Sequence, residues 1–190
     1  LPNDWNPAYN HAMTASEQTP PQKTRSSKKK PEPAPIKRVL KGSAVARRNA
    51  ARLAAVQCLY QMAQGDMDAE QVLADYVHHR YGIEEEGELF VAADVELLRQ
   101  LVTGVEGRRQ MHEEILTNVF NNGSRPFDRQ ELLVQLILKT GTEELFSKQE
   151  TETPLIISSY VDVAKAFYAD RTPTMINAIL DQISKIIRTR

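Results

Sequence analysis

The chain has 190 residues, enough for one modest domain and a tail, and its single cysteine, Cys58, excludes an internal disulfide. A net charge of −1 hides an asymmetry: residues 23–52 carry eleven Lys/Arg against one acid, Glu32, whereas residues 53–190 carry 13 basic and 22 acidic side chains. No apolar run approaches the roughly 20 residues of a membrane span, and no charged-then-apolar signal sequence opens the chain, so a cytoplasmic protein is expected.

Residues 1–40 contain seven of the ten prolines and few aliphatic side chains. Such a segment buries too little apolar surface to offset its ordering entropy, so it reads as a disordered Pro/Lys-rich tail ahead of a folded domain at 41–190. Trp5 and Tyr9 read as solvated, and Lys28-Lys29-Lys30 as a source of salt-sensitive, non-specific attraction. The chain opens on Leu1, which fits a fragment or a natural start at Met13.

From Ser43 onwards the pattern is helical. The first helix is expected to be capped by Ser43 and stopped by Gly65, with Arg52, Val56, Leu59 and Ala63 on one face. Arg48 extends that stripe towards the N-terminus, so the first turns are expected to overhang the packed body. A second helix begins at Asp68, with Gln71 completing a capping box, and buries Val72, Leu73, Tyr76 and Val77. Glu84-Glu85-Glu86-Gly87 reads as an acidic loop.

A long helical stretch follows, through Asp94, Leu97, Leu98, Leu101, Val105, Ile115, Leu116 and Val119, in which Gly104 marks close packing or a bend. Residues 121–126 are a turn, and Asp128 with Glu131 form a second capping box before Leu132, Leu133, Leu136, Ile137 and Leu145. Thr153-Pro154 and Thr172-Pro173 each place a capping hydroxyl before a proline that opens a helix. Those helices bury Ile157, Tyr160, Val163, Ala164 and Phe167, then Ile176, Ile179, Leu180, Ile183 and Ile187. No segment alternates persistently with period two, so the fold class is all-α, with about six or seven helices.

The chemistry of catalysis and metal binding is sparse. The glycines are scattered and form no phosphate-cradling loop. His11, His78, His79 and His112 read as exposed polar residues, since adjacent positions point to different helix faces and His112-Glu113-Glu114 lacks a second histidine. Cys58 lies in an apolar run and reads as a small core hydrophobe. The carboxylates read as solvated, with no pair in opposed environments. No enzyme, cofactor or metal is expected.

The basic segment differs. Arg47, Arg48 and Arg52 lie within two turns, Lys37, Arg38 and Lys41 precede them, and no Asp or Glu occurs between Pro33 and Asp66. Arginine's planar fork suits phosphate oxygens and stacks on bases, so nucleic acid is the favoured partner, RNA and DNA being left open.

The stretch from Ala46 through Arg47, Arg48, Arg52 and Gln57 to Leu59-Tyr60 resembles the opening helix of the NusB transcription antitermination factors. Asp94 through Leu98, Leu101 and Gly104 to Val105 is similar to that family's central helix. Tyr160 through Ala164 and Lys165 to Phe167, then Met175 through Asn177 and Leu180 to Asp181, resembles its C-terminal pair. The family's Asn-Glu pair stands here as Ser158-Ser159, its Phe-Val-Asn-Gly as residues 175–178, and its aromatic before Glu-Leu as Glu143.

The resemblance implies an all-helical domain of two packed three-helix subdomains. It implies binding of boxA RNA together with NusE, the small-subunit ribosomal protein that doubles as an elongation factor, in an antitermination complex on RNA polymerase, notably at ribosomal RNA operons. Arg48 and Arg52 match the family's RNA-contacting arginines; Arg47, Lys41, Lys165 and Arg171 are further RNA candidates. Tyr60 matches a position near the protein partner, or is a core tyrosine. Two other readings stand beside this one. One is a protein-interaction helical adaptor; the other is a detached NusB-like domain of an rRNA cytosine methyltransferase. Oligomeric state is not legible, because a core face and a dimer face look alike in sequence.

Overall fold

A computed structural model describes residues 42–79, the strand backbones at 84–85 and 88–89, residues 91–121 and residues 125–188. They lie in the second of two units of the chain, Lys37–Arg190. The tail, Lys41 and His11 lie outside the described residues. Seven α-helices follow in order: α1 (Ala44–Gln64), α2 (Ala69–His79), α3 (Val95–Gly107), α4 (Arg109–Phe120), α5 (Leu132–Ser147), α6 (Thr153–Lys165) and α7 (Thr172–Ile187). The all-α expectation holds.

Local signals set several boundaries. The Ser43 hydroxyl accepts from the Ala46 amide at 3.2 Å, and Gly65 ends α1. Gly42 before it has φ 108°, and a Cβ there would fall 2.8 Å from Val91 Cγ1, so both backbone and space require glycine. The capping box at α2 forms as expected: the Asp68 amide donates to Gln71 Oε1, and the Gln71 amide donates to Asp68 Oδ1, both at 2.9 Å. Asp94 caps α3 through the Leu97 amide at 3.2 Å.

Other expectations are corrected. β1 (Glu84–Glu85) and β2 (Glu88–Leu89) pair antiparallel, where an acidic loop was expected; strands of two residues are too short for alternation to show. Asp128 sits in a 3-10 turn at Phe127–Arg129, and α5 starts only at Leu132, with no side-chain cap on Glu131 among the described residues. Thr153 and Thr172 lie inside the first turns of α6 and α7, after Glu152 and Arg171, so their hydroxyls do not cap. The prolines still open both helices, because their fixed φ suits the first turn. The break in the long central stretch falls at Arg108, between α3 and α4, and Gly104 serves close packing instead. A Cβ at Gly104 would fall 2.5 Å from Glu143 Cδ.

α5 is the central element. It packs against α1, α3, α4, α6 and α7, and residues 136–138 and 140–145 along it are all buried. Helices α1, α2 and α3 pack on one another, as do α5, α6 and α7, with α4 bridging α3, α5 and α7. This is a partial outline of two three-helix groups. The core includes Val56, Leu98, Leu101, Leu116, Ile137, Leu145, Ile156, Tyr160, Ile176, Leu180 and Ile183. Each large aliphatic side chain buried there contributes roughly 1.5–3 kcal/mol. Cys58 is buried among them, as expected. Phe167 is exposed rather than buried, because it lies just past the end of α6. Among the described residues, no helix is long and apolar enough to cross a membrane.

Candidate nucleic-acid interface

Three helix N-termini converge on an open groove of about 500 Å³. Val45 and Arg48 come from the first turns of α1, Asp94 and Glu96 from the start of α3, and Glu152 and Leu155 from the start of α6. A backbone hydrogen bond, Asp94 N–H to the Arg47 carbonyl at 3.0 Å, ties the α3 start to α1. Unpaired amides and helix dipoles give such ends partial positive charge. Asp94, Glu96, Glu144, Glu150 and Glu152 nevertheless outnumber Arg48, Arg52 and Lys148 in the lining, so the groove itself is acidic and only its rim is basic.

The candidate arginines divide sharply within this frame. Arg48 is exposed on the groove rim and makes no hydrogen bond or ion pair with the described residues. Arg47 is half-buried, and its Nε is buried without a partner among the described residues. Arg52, one turn after Arg48, is only 3% exposed. Its Nε donates to Glu144 Oε2 at 2.9 Å, its Nη2 to Glu144 Oε1 at 2.6 Å, and its Nη1 to Asn49 Oδ1 at 2.8 Å. Burial opposes the charged guanidinium, but the hydrogen bonds and charge of Glu144 outweigh it and raise the Arg52 pKa. The expected overhang of α1 therefore stops before Arg52, because Glu144 draws this arginine into the body.

Glu144 also accepts the Tyr160 hydroxyl at 2.9 Å. Burial, then the adjacent Glu144 charge, hold the Tyr160 phenol well above its usual pKa. One carboxylate thus joins α1, α5 and α6.

Lys165 is exposed and pairs with Asp162 at 3.0 Å. Asp162 shares a shallow hollow of about 240 Å³ with Asn49 and Ala50, which brings the Lys165 side of α6 next to α1. Arg171 is exposed just before α7 and does not line the groove. Tyr60, 43% exposed, lies three turns beyond Arg48, about 18 Å along α1 by helix rise, so the core-tyrosine reading is corrected. With Phe167, Leu133, Glu131 and Gln57 it lines a second concavity of about 600 Å³.

Several charged residues escaped the sequence reading. Glu143 and Glu144 were expected on solvated faces and are both buried; their only signal was two adjacent acids within an apolar helix. His112, expected exposed, is fully buried, because α4 turns it towards α5, with Nε2 3.1 Å from Glu143 Oε2. Arg108 Nε donates to Glu143 Oε2 at 2.9 Å, and its Nη2 pairs with Oε1. Among the described residues, no group of three or more His, Cys, Asp or Glu side chains is placed to hold a metal.

Residues 49–185 match the family model described as NusB family. The transcription antitermination protein NusB of Sinorhizobium medicae (strain WSM419) is 36% identical over 144 residues, covering 76% of this chain and 89% of that protein. The transcription antitermination protein NusB of Agrobacterium fabrum (strain C58 / ATCC 33970) is 38% identical over 141 residues, covering 74% of this chain and 85% of that protein. The solved structure of T. maritima NusB shares the fold, with a TM-score of 0.60 and 22% identity over 73% of this chain and 90% of that one. A matching fold, a family match over most of the helical domain and relatives of this similarity lead to one conclusion: the chain belongs to the NusB family.

Proposed function

We propose that this chain is a non-enzymatic transcription antitermination factor that binds boxA-type single-stranded RNA jointly with NusE and supports RNA polymerase on ribosomal RNA operons. The observation that carries the reading is Arg48: an exposed guanidinium without a partner among the described residues, at the meeting point of three helix N-termini. A phosphate there meets an always-charged fork and unpaired backbone amides. The groove itself also carries Asp94, Glu96, Glu150 and Glu152, so the phosphate path follows the Arg47–Arg48 rim. Lys41 precedes that rim in sequence, Lys165 lies on the side of α6 that meets α1, and Arg171 is kept as a further RNA candidate on the family resemblance alone. Unstacked bases of a single strand supply the sequence-read element, since duplex RNA hides its major-groove edges.

Tyr60 lies in the other concavity and is assigned to the NusE contact. Its ring and that of Phe167 are both exposed, and aromatic side chains with a polar rim suit a protein partner.

The test is the affinity of the full chain for a boxA RNA, with and without NusE, across a salt series. Arg48→Ala is expected to weaken binding and to reduce the slope of log K against log salt by about one. No binding of RNA by the unaltered chain, even with NusE, overturns the reading. Association with NusE alone would then leave a protein-interaction adaptor.

A further inference from the structure

We propose that Arg52 is a positioning residue of the RNA-binding rim: it acts through Glu144 and Asn49 and does not itself touch phosphate. The inference rests on the RNA reading above and departs from what the family resemblance assigns to this position.

The geometry leaves Arg52 little to offer a ligand. Both edges of its fork are engaged, by Glu144 at 2.9 and 2.6 Å and by Asn49 at 2.8 Å. The side chains of the pair are 3% and 2% exposed. Its charge is cancelled at contact distance, so it adds almost nothing to the long-range attraction of a polyanion. Swinging out to a phosphate would strand the Glu144 carboxylate in the core, and breaking a buried pair from one side is strongly unfavourable.

What Arg52 does hold is the rim. Asn49 follows Arg48 directly, and its amide oxygen is fixed by the Arg52 Nη1. Glu144 is fixed in turn by Tyr160, which is fully buried. A chain of hydrogen bonds therefore runs from α6 through α5 to the second turn of α1, and it ends on Asn49, the residue after Arg48, which lines the same groove. The first turns of α1 are also held by the Ser43 cap and by the Asp94–Arg47 backbone bond. A rim held in one orientation loses less entropy on binding RNA than a frayed one.

The test uses the full chain and a boxA-type single-stranded RNA with NusE present, at a temperature well below the unfolding midpoint of every variant. Salt slope and affinity are read together. Arg48→Ala is expected to lower the slope by about one. Glu144→Gln keeps the Arg52 charge but loosens its hold. Affinity is expected to fall about tenfold, the equivalent of one charge-assisted hydrogen bond, with the slope not lowered. The paired replacement Arg52→Met with Glu144→Met removes both buried charges, and its slope is also expected to equal that of the unaltered chain.

A slope lowered by about one in the paired variant would mean that Arg52 contacts phosphate and overturns the proposal, and so does a rise in affinity in Glu144→Gln. Unchanged affinity of folded Glu144→Gln would make the pair purely structural and overturns it as well. If the paired variant does not fold, Glu144→Gln decides alone. Failure of the RNA reading is separable: the unaltered chain then binds no RNA, and Arg48→Ala has nothing to change.

Discussion

Arg52 on α1 and Glu144 on α5, 92 residues apart in sequence, form a two-point ion pair at 2.9 and 2.6 Å inside the core. A pair of this kind carries little net stability of its own, since both ions were taken out of water, but it is costly to break from one side. Arg52→Met or Glu144→Met alone is therefore expected to destabilise the domain by about 3–5 kcal/mol. The apolar paired replacement, Arg52→Met with Glu144→Met, is expected to cost clearly less than the two single losses added together. Urea unfolding of the four proteins gives the coupling directly. Additive single and double losses would show that the two residues do not act as a unit.

Glu143 sets part of the acid response. Burial opposes its charge, but the nearby His112 imidazole and the hydrogen bonds and charge of Arg108 prevail and hold its pKa below the ordinary 4.5. A carboxylate with a lowered folded-state pKa contributes stability that is fully present above the unfolded value and is lost as pH falls through the folded one. Stability should thus decline from pH 4.5 downwards, and Glu143→Gln should be less stable at neutral pH yet show a shallower acid decline. Unfolding free energies measured between about pH 6 and pH 2 check this. Parallel curves for the two proteins would contradict it.

Arg188, after the last turn of α7, binds the carbonyls of Leu145, Lys148 and Thr151 at 2.8, 2.6 and 2.6 Å and the Thr153 hydroxyl at 3.1 Å. It satisfies acceptors at the end of α5 that the helix leaves open and clasps the corner between α5 and α6. Arg188→Ala is expected to cost about 2 kcal/mol and to speed amide hydrogen exchange across residues 145–156 while leaving α2 unaffected. Exchange mapped by mass spectrometry reads both regions at once. Equal protection at the corner in the two proteins would show that the clasp is dispensable.

The helical outline was legible because its signals are local. Ser43, the Asp68–Gln71 box and the prolines at 154 and 173 act within a turn of themselves, so each could be read where it stood. The failures came where a local pattern had competition. Asp128 and Glu131 have the spacing of a capping box, yet the chain spends Asp128 on a 3-10 turn first. Phe167 has the right period for the α6 face but falls beyond the end of that helix.

The candidate site shows the same division. By itself the sequence determined that the chain is helical, where its basic helix begins, and that Arg47, Arg48 and Arg52 share two turns. Only the tertiary structure decided that these arginines are not equivalent. Arg48 stays on the rim, while Arg52 is claimed by a carboxylate from α5 and Arg47 sits half-buried where α3 starts. The physical reason is that helix propensity and capping depend on neighbours a turn away, whereas the fate of a charge depends on what another helix brings to it. Residue 144 reaches residue 52 only when α1, α5 and α6 have docked.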